Sequence, residues 1–192
     1  MYKKPRVVEI PEAPTPEDIT ALTHRAYSTC IWHLERSDKT SGQLAAKLRR
    51  KGFTDQFITT VLEQLEEEGY INDRRFAKYY IERKIGDKGL SVLRSELSVK
   101  GVPRDLINEV VEEYTEELEE NEEQSVSEVE EEGARKLAAS KARQLPRDLE
   151  YSKKLNRVVG ALARRGFSSD IYNIARAAVD EHSPAPEPED EE

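Results

Sequence analysis

The sequence predicts an all-α protein of three tandem three-helix, helix-turn-helix-like repeats that together form an elongated curved rod. Two observations predict this fold. Three stretches align on a glycine, at Gly52, Gly101 and Gly166, and apolar residues recur at helical intervals on both sides of each. No segment has the alternating pattern rich in Val, Ile and Thr that is typical of strands. Because a unit of this size buries little apolar surface alone, the repeats are expected to gain stability by stacking on one another.

Each repeat glycine is predicted to separate two helices. Glycine readily adopts the left-handed backbone that ends a helix, so it is a common residue at this position. Apolar residues lie four and eight positions before it and five and nine positions after it, which places them on one side of each helix. In chain order they are Leu44, Leu48, Phe57 and Val61; Leu93, Leu97, Leu106 and Val110; and Val158, Leu162, Ile171 and Ala175.

Helix-start signals agree with these pairs. Thr40 and Gln43 can form a capping box for the helix that ends at Lys51, because each side chain can bond the other residue's backbone amide. The remaining start signals are Thr54 or Asp55, Pro103, and Ser168 or Ser169.

A further helix precedes each pair, which brings the predicted number to nine. The first runs from about Asp18 to Arg36, and the second starts at Asn72 or Asp73 and ends before Gly86 and Gly89. The third runs through residues 135–143 and is expected to be the extended one, because the spacing between repeat glycines grows from 49 to 65 residues. The predicted organisation is a disordered Pro-rich segment at 1–17, repeats at 18–69, 70–118 and 119–182, the last with an acidic connector, and a disordered acidic tail at 183–192.

The net charge of −9 is spread unevenly along the chain. Residues 112–132 hold twelve glutamates and no basic residue, whereas residues 133–182 hold eleven basic and five acidic residues. A block of like charge is typical of a solvated helix face or a connector, and we favour that interpretation over a nucleic-acid mimic. The pattern leaves open whether residues 112–132 are helix or coil.

Residue patterns of catalysis are absent from the sequence. It has no phosphate-binding loop, dinucleotide-binding, nucleophile-elbow or zinc-protease motif, and its three histidines are isolated. Cys30, the single cysteine, falls on an apolar stripe, where we expect a buried thiol in a cytoplasmic protein. No apolar stretch approaches the ~20 residues of a membrane span. The sequence therefore predicts a cytoplasmic binding protein that has no catalytic activity, cofactor, metal or membrane contact.

Basic residues and one tyrosine on the outward faces of three predicted helices are the candidate partner-binding residues. Such a surface suits nucleic-acid phosphates or an acidic protein groove, although solvation and pairing within a helix explain exposed charge equally well. Trp32 lies off the apolar stripe and is either an interface anchor or packs on a neighbouring helix. The candidates are Arg49, Arg50, Lys51, Arg74, Arg75, Lys78, Tyr79, Arg83, Lys153, Arg157, Arg164 and Arg165.

Two segments resemble the RecX family of bacterial regulators of the RecA recombinase. The run GYINDRRFAKYYIERKIGDKGLSVLRSELSVKGV, from Gly69 to Val102, resembles the family signature, and RSDKTSGQLAAKLRRKGF resembles its first-repeat element. The resemblance covers about residues 18–181. The positions that match in register are Asn72, Asp73, Phe76, Ala77, Gly89, Glu96, Leu97, Lys100 and Gly101.

The resemblance implies a cytoplasmic protein of tandem three-helix units that lies in the groove of the RecA–single-stranded DNA filament. Such a protein modulates, and in most cases inhibits, the ATPase and strand-exchange activities of RecA. We expect a monomer, with single-stranded or double-stranded DNA as a further partner. The alternative is a helix-turn-helix DNA-binding protein that acts on DNA directly, but its second helices would turn glutamates such as Glu63, Glu109 and Glu112 towards phosphates.

Overall fold

The computed structural model describes residues 7–120, 125–167 and 170–182. Nine α-helices lie in these ranges, and the only β-type pairing within them is an isolated bridge between Ile85 and Lys88. The predicted all-α class and the number of helices are therefore confirmed for this part of the chain. The helices are α1 (Pro16–Leu34), α2 (Ser41–Arg50), α3 (Asp55–Glu67), α4 (Asp73–Lys84), α5 (Leu90–Val99), α6 (Arg104–Glu120), α7 (Val126–Arg143), α8 (Tyr151–Arg164) and α9 (Ile171–His182).

Side-chain caps start several helices. The predicted capping box of α2 is present: the Thr40 hydroxyl accepts from the Gln43 amide at 3.1 Å, and the Gln43 side chain accepts from the Thr40 amide at 3.2 Å. α1 begins before the predicted Asp18, because Thr15 forms a capping box with that residue. At α4, the Asn72 side chain accepts from the Arg75 amide at 2.8 Å. The start signal proposed for the last helix, Ser168 or Ser169, lies outside the described residues.

The three repeat glycines end helices as predicted. Gly52, Gly101 and Gly166 have φ values of 90°, 83° and 75°, in the left-handed region that other residues rarely adopt. The first helix of the third repeat runs through 135–143 and begins earlier, because a capping box between Ser125 and Glu128 starts α7 at Val126. Of the acidic block, residues 112–120 and 126–132 are helical, and 121–124 lie outside the described residues.

The chain divides into two compact units, and the division runs through the second repeat. The first unit comprises the residues up to Tyr79 together with Leu97–Asn108. Its core is formed by α1, α2 and α3, and the predicted apolar positions of this repeat are buried. Val8, ahead of α1, is also buried, and its amide donates to the Lys51 carbonyl at 2.7 Å. This contact lies in the segment 1–17 that the sequence predicts to be disordered, of which residues 1–6 lie outside the description.

Within the first unit, the start of α2 contacts two segments of the second repeat. The Asp73 carboxylate accepts hydrogen bonds from the amide and the hydroxyl of Ser41, at 2.8 and 2.6 Å. The Thr40 hydroxyl donates to the Lys100 carbonyl. Gly42 lies so close to Gly101 that a Cβ on Gly42 would be 2.6 Å from the Gly101 Cα.

The second unit comprises Tyr80–Glu96 together with the residues from Glu109 onward, and its core is formed by α7, α8 and α9. The start of α5 makes the equivalent contacts with the third repeat. The Leu90 amide donates to the buried Glu130 carboxylate at 2.6 Å, and the Gly89 amide donates to the Arg165 carbonyl at 2.8 Å. A Cβ on Gly89 would lie 2.0 Å from the Gly166 carbonyl oxygen. The two contact regions therefore use the same kinds of group: a carboxylate that accepts from the first amide of a helix, and two glycines in close approach.

Candidate partner-binding surface

The candidate residues at the end of α2 lie in the first unit and differ in their surroundings. Arg49 and Arg50 are exposed, and Arg49 Nε contacts Asp55 Oδ1 at 2.8 Å. Lys51 is half-buried, and its carbonyl accepts the hydrogen bond from Val8. Because the Arg49 pair is exposed, it contributes little to stability and does not prevent Arg49 from meeting a partner.

The candidate residues of α4 differ in exposure and are divided between the two units. Arg74, Arg75 and Tyr79 are exposed and Lys78 is half-buried, all in the first unit, and Arg83 is exposed in the second. Arg74, Lys78, Tyr79 and Arg83 also interact with other groups of the protein, and the Arg75 amide donates to Asn72. A partner that bound these side chains would therefore compete with the contacts that they already make within the protein.

The α8 residues separate into two groups. The helical geometry predicted from the sequence is present: Leu155, Val158 and Leu162 are buried, and the basic candidates Lys153, Arg157 and Arg164 are exposed. Arg157 and Arg164 line a groove between α7 and α8 of about 500 Å³. Lys141 of α7 lines the same groove. None of these three cations forms an ion pair with another residue of the described ranges.

The other α8 candidates have structural contacts. Lys153 Nζ lies 3.1 Å from a carboxylate oxygen of Glu150. Arg165 donates from Nη1 to the Asp87 carbonyl at 3.0 Å, and its own carbonyl accepts from Gly89. Arg165 therefore belongs to the contact between the second and third repeats, whereas Lys153 forms an exposed pair with the residue that precedes α8.

Lys141 is a groove residue that the sequence reasoning missed. A signal for it was available, since it lies in the last turn of the helix predicted at 135–143. What the sequence could not indicate is that α7 and α8 pack so that Lys141 shares a groove with Arg157. That relationship depends on the packing of two helices.

A second group of cations, also missed, surrounds His33 in the first unit. The pKa of His33 is lowered, first by burial and then by the charges of Lys47, Lys51, Lys39 and Arg36. No carboxylate is among the groups that act on this imidazole. We call His33 and these four cations the His33 cluster.

Trp32 adjoins the His33 cluster. Its side chain is 51% exposed, and the centre of its ring lies 4.8 Å from that of His33 in an edge-to-face arrangement. The Arg36 guanidinium carbon lies 3.5 Å from the centre of the indole. Trp32 also lines a groove of about 830 Å³ along α1, together with Tyr27, Ile31 and other residues. Both ring contacts are with neighbours along the chain rather than with another helix.

The thiol of Cys30, which the sequence predicts to be buried, lies in the core of the first unit. Cys30 is 1% exposed, and burial raises the pKa of its thiol to about 11, so it is protonated at neutral pH. Among the described residues, no group of three or more His, Cys, Asp or Glu side chains could hold a metal ion. No helix in those ranges is long and apolar enough to cross a membrane.

Comparisons with known proteins bear on the three repeats directly. The RecX first three-helix domain matches residues 26–65, the second matches 72–111, and the third matches 128–173. Two relatives named regulatory protein RecX are similar over most of their length. The relative from Streptomyces coelicolor is 34% identical over 160 residues, which cover 82% of this chain and 79% of the relative. The relative from Thermobifida fusca is 30% identical over 168 residues, which cover 86% of this chain and 83% of the relative.

Two crystal structures have similar folds. A regulatory protein RecX has a TM-score of 0.68 and 25% identity, covering 88% of this chain and 81% of that one. RecX from Lactobacillus salivarius has a TM-score of 0.63 over 84% of this chain and 99% of that one, and at 24% identity it supports the fold alone. The resemblance seen in the sequence and the three tandem three-helix repeats are thereby confirmed. Since the three domains together match more than half of the chain, this protein belongs to the RecX family, whose members are named as regulatory proteins.

Proposed function

We propose that this protein binds the RecA–single-stranded DNA filament and inhibits its ATP hydrolysis and strand exchange. It acts as a cytoplasmic monomer and modulates RecA without catalysing a reaction of its own. Membership of a family of regulatory proteins supports the regulatory role. We further propose that the effect on RecA is inhibitory and that cationic residues of this chain contact the filament.

The observation that carries the proposal is the groove lined by Lys141, Arg157 and Arg164. Three cations line one groove, and no carboxylate of the described residues pairs with them. Cations that are close together and unpaired repel one another, and an acidic partner relieves that repulsion while it gains attraction of its own. The groove therefore suits an acidic protein surface or a phosphate backbone.

A filament also favours a protein made of repeats. Adjacent protomers present the same surface many times, so a chain with several cationic faces can make several modest contacts at once. Linked contacts of this kind raise the overall affinity well above that of each contact alone. The faces on α2 and α4 are the further contacts that this proposal expects.

The test is a titration into preformed RecA filaments on single-stranded DNA, in which ATP hydrolysis and co-sedimentation are followed together. The double variant Arg157→Glu with Arg164→Glu should bind the filament about 10-fold more weakly or worse, because both attractive contacts become repulsive. Lys153→Glu alone should have a smaller effect, since Lys153 is not among the residues that line the groove.

The matched control is Lys136→Glu with Arg176→Glu. Both residues are in the second unit, both pair with a carboxylate one turn away on their own helix, and the change in net charge is the same. Equal weakening by the two double variants, with helical circular dichroism intact, would show that only net charge matters and would remove the groove from the site. Binding of the protein to bare double-stranded DNA but not to filaments would favour the helix-turn-helix alternative.

A further inference from the structure

We infer that the surface formed by Trp32 and the His33 cluster binds single-stranded DNA, with an unpaired base stacked on the Trp32 and Arg36 pair and backbone phosphates held by Lys39, Lys47 and Lys51. This inference goes beyond the proposed function, because it assigns a direct DNA contact to the first unit. It does not require RecA, and it can be tested without RecA.

The stacking surface is already assembled. Trp32 is half exposed, the Arg36 guanidinium lies 3.5 Å from the centre of its ring, and Arg36 Nη1 donates to the Trp32 carbonyl at 2.5 Å. These two interactions restrain the guanidinium over the indole, and Arg36 itself is exposed. Indole rings and guanidinium planes are both surfaces on which unpaired bases stack. Trp32 and Arg36 therefore offer a base a platform that needs little reorganisation.

The groove beside this platform has a composition that suits bases. Trp32, Tyr27 and Ile31 supply apolar and aromatic surface, while Ser28 and Gln64 supply polar groups. Its volume of about 830 Å³ is within the range usual for sites that hold small molecules. A base has an apolar face and a polar edge, so it can use both kinds of lining.

The phosphate contacts come from the cations around His33, whose ring adjoins Trp32. Lys39, Lys47, Lys51 and Arg36 all act on the His33 imidazole, so their charges are concentrated around one ring. The pKa of Lys39 is lowered, first by burial and then by Lys47, and the neighbouring Asp38 only partly opposes this. Lys39 and Lys47 therefore repel each other in the free protein. A chain of phosphates would relieve the repulsion and would release counterions.

A stacking platform and a groove beside a group of cations favour single-stranded DNA over an acidic protein. An acidic peptide would use the cations but would leave the Trp32 platform and the apolar groove without a matching group. A double helix would offer phosphates but would keep its bases stacked inside. A flexible strand with unpaired bases supplies both halves, which is the usual pattern in proteins that bind single strands.

Trp32 is the only tryptophan of the chain, so its fluorescence reports on the site itself. The experiment titrates a 20-residue oligothymidine into the full chain without RecA, and in parallel an abasic strand with the same number of phosphates. We expect saturable quenching by oligothymidine and at least about 5-fold weaker binding of the abasic strand, because only the former can stack. The pKa of His33, followed by NMR, should rise on binding as phosphates neutralise its neighbours.

Variants separate stacking from charge, with fluorescein-labelled oligothymidine and anisotropy as the readout. Trp32→Ala should weaken binding about 5- to 100-fold, and Trp32→Phe should weaken it less. Lys47→Gln with Lys51→Gln should reduce the slope of log K against log salt by about 1.4, since each phosphate contact on a single strand contributes about 0.7. The matched pair Lys136→Gln with Arg176→Gln should leave the slope unchanged.

Glu35→Gln should tighten binding, because Glu35 is a carboxylate that lines the groove.

Three outcomes would overturn the inference. The first is that the abasic strand binds as tightly as oligothymidine, and the second is that Trp32→Ala binds oligothymidine with unchanged affinity. The third is that polyglutamate of the same length binds as tightly as oligothymidine or more tightly, which would assign the His33 cluster to acidic proteins. Circular dichroism checks that each variant is folded. Because the filament experiment tests the α8 groove and this experiment uses DNA alone, either proposal can fail while the other holds.

Discussion

The carboxylate of Asp73, at the first position of α4, accepts two hydrogen bonds from Ser41, at the first position of α2, 32 residues earlier in the chain. One comes from the amide at 2.8 Å and the other from the hydroxyl at 2.6 Å. The first amides of a helix have no partner within the helix, so a carboxylate from the next repeat satisfies a group that would otherwise need a cap or water. Glu130 does the same for Leu90 in the second unit.

Asp73→Ala should therefore destabilise the protein by about 1–3 kcal/mol, since both hydrogen bonds of a charged acceptor are lost and the amide of half-buried Ser41 is left unpaired. The matched variant Ser41→Ala removes only the hydroxyl bond and should cost about 0.5–1.5 kcal/mol. Urea denaturation measures both. A smaller loss for Asp73→Ala than for Ser41→Ala would show that this contact is not the main role of Asp73.

Gly133 and Gly160 form a matched pair of glycines inside helices. A Cβ on Gly133 would lie 1.9 Å from the Gly86 carbonyl oxygen, whereas a Cβ on Gly160 would meet only the flexible end of Arg164, at 3.2 Å. Alanine favours a helix over glycine by about 0.5–1 kcal/mol. Gly160→Ala should therefore stabilise the protein slightly, while Gly133→Ala should destabilise it by about 1–3 kcal/mol, because backbone has to move. Similar melting temperatures for the two variants would contradict this.

Leu97 and Val99 lie in the same helix with opposite exposure. Leu97 is fully buried, as its position four residues before Gly101 predicts, and Val99 is 88% exposed. Leu97→Ala should cost about 2–5 kcal/mol through lost burial and the cavity that remains. Val99→Ala should change the free energy of unfolding by less than about 0.5 kcal/mol. Chemical denaturation of the two variants side by side is the measurement.

Cys30 should react slowly with thiol reagents at pH 8. Burial raises the pKa of its thiol to about 11, so the reactive thiolate is scarce, and the sulfur is also shielded from solvent. In urea the thiol should react at the rate of a free cysteine. Fast, complete modification of the folded protein would show that α1 opens away from the core.

Acidification should destabilise the protein through His33. Its pKa is below the ordinary value of 6.5, so between the two values the unfolded chain binds more protons than the folded one. Stability from this residue therefore rises with pH across that window and is lost as pH falls. His33→Gln should lose less stability than the natural chain between pH 7.5 and pH 5, as measured by urea midpoints at both values. An identical pH dependence would mean that the folded protein does not oppose protonation of His33.

Contacts within one helix or one turn were predictable from the sequence. The capping box of Thr40, the glycine at the end of α2 and the buried stripe of Leu44 and Leu48 each depend on residues a few positions apart. The exposed faces of the basic residues followed from the same periodicity. The start of α1 differed by two residues because Thr15 was not considered as a cap for Asp18.

Local pattern thus determined that this chain forms nine helices in three repeats, and it determined which side of each helix is apolar. Only the tertiary structure decided which cations act together. It joined Lys141 to Arg157 in one groove and tied Arg165 to the Asp87 carbonyl. It also gathered around His33 one cation of α2 and three from the segments that flank this helix. The physical reason is that periodicity fixes a direction within one helix, whereas a shared site depends on how two helices pack and on which carboxylates lie within reach.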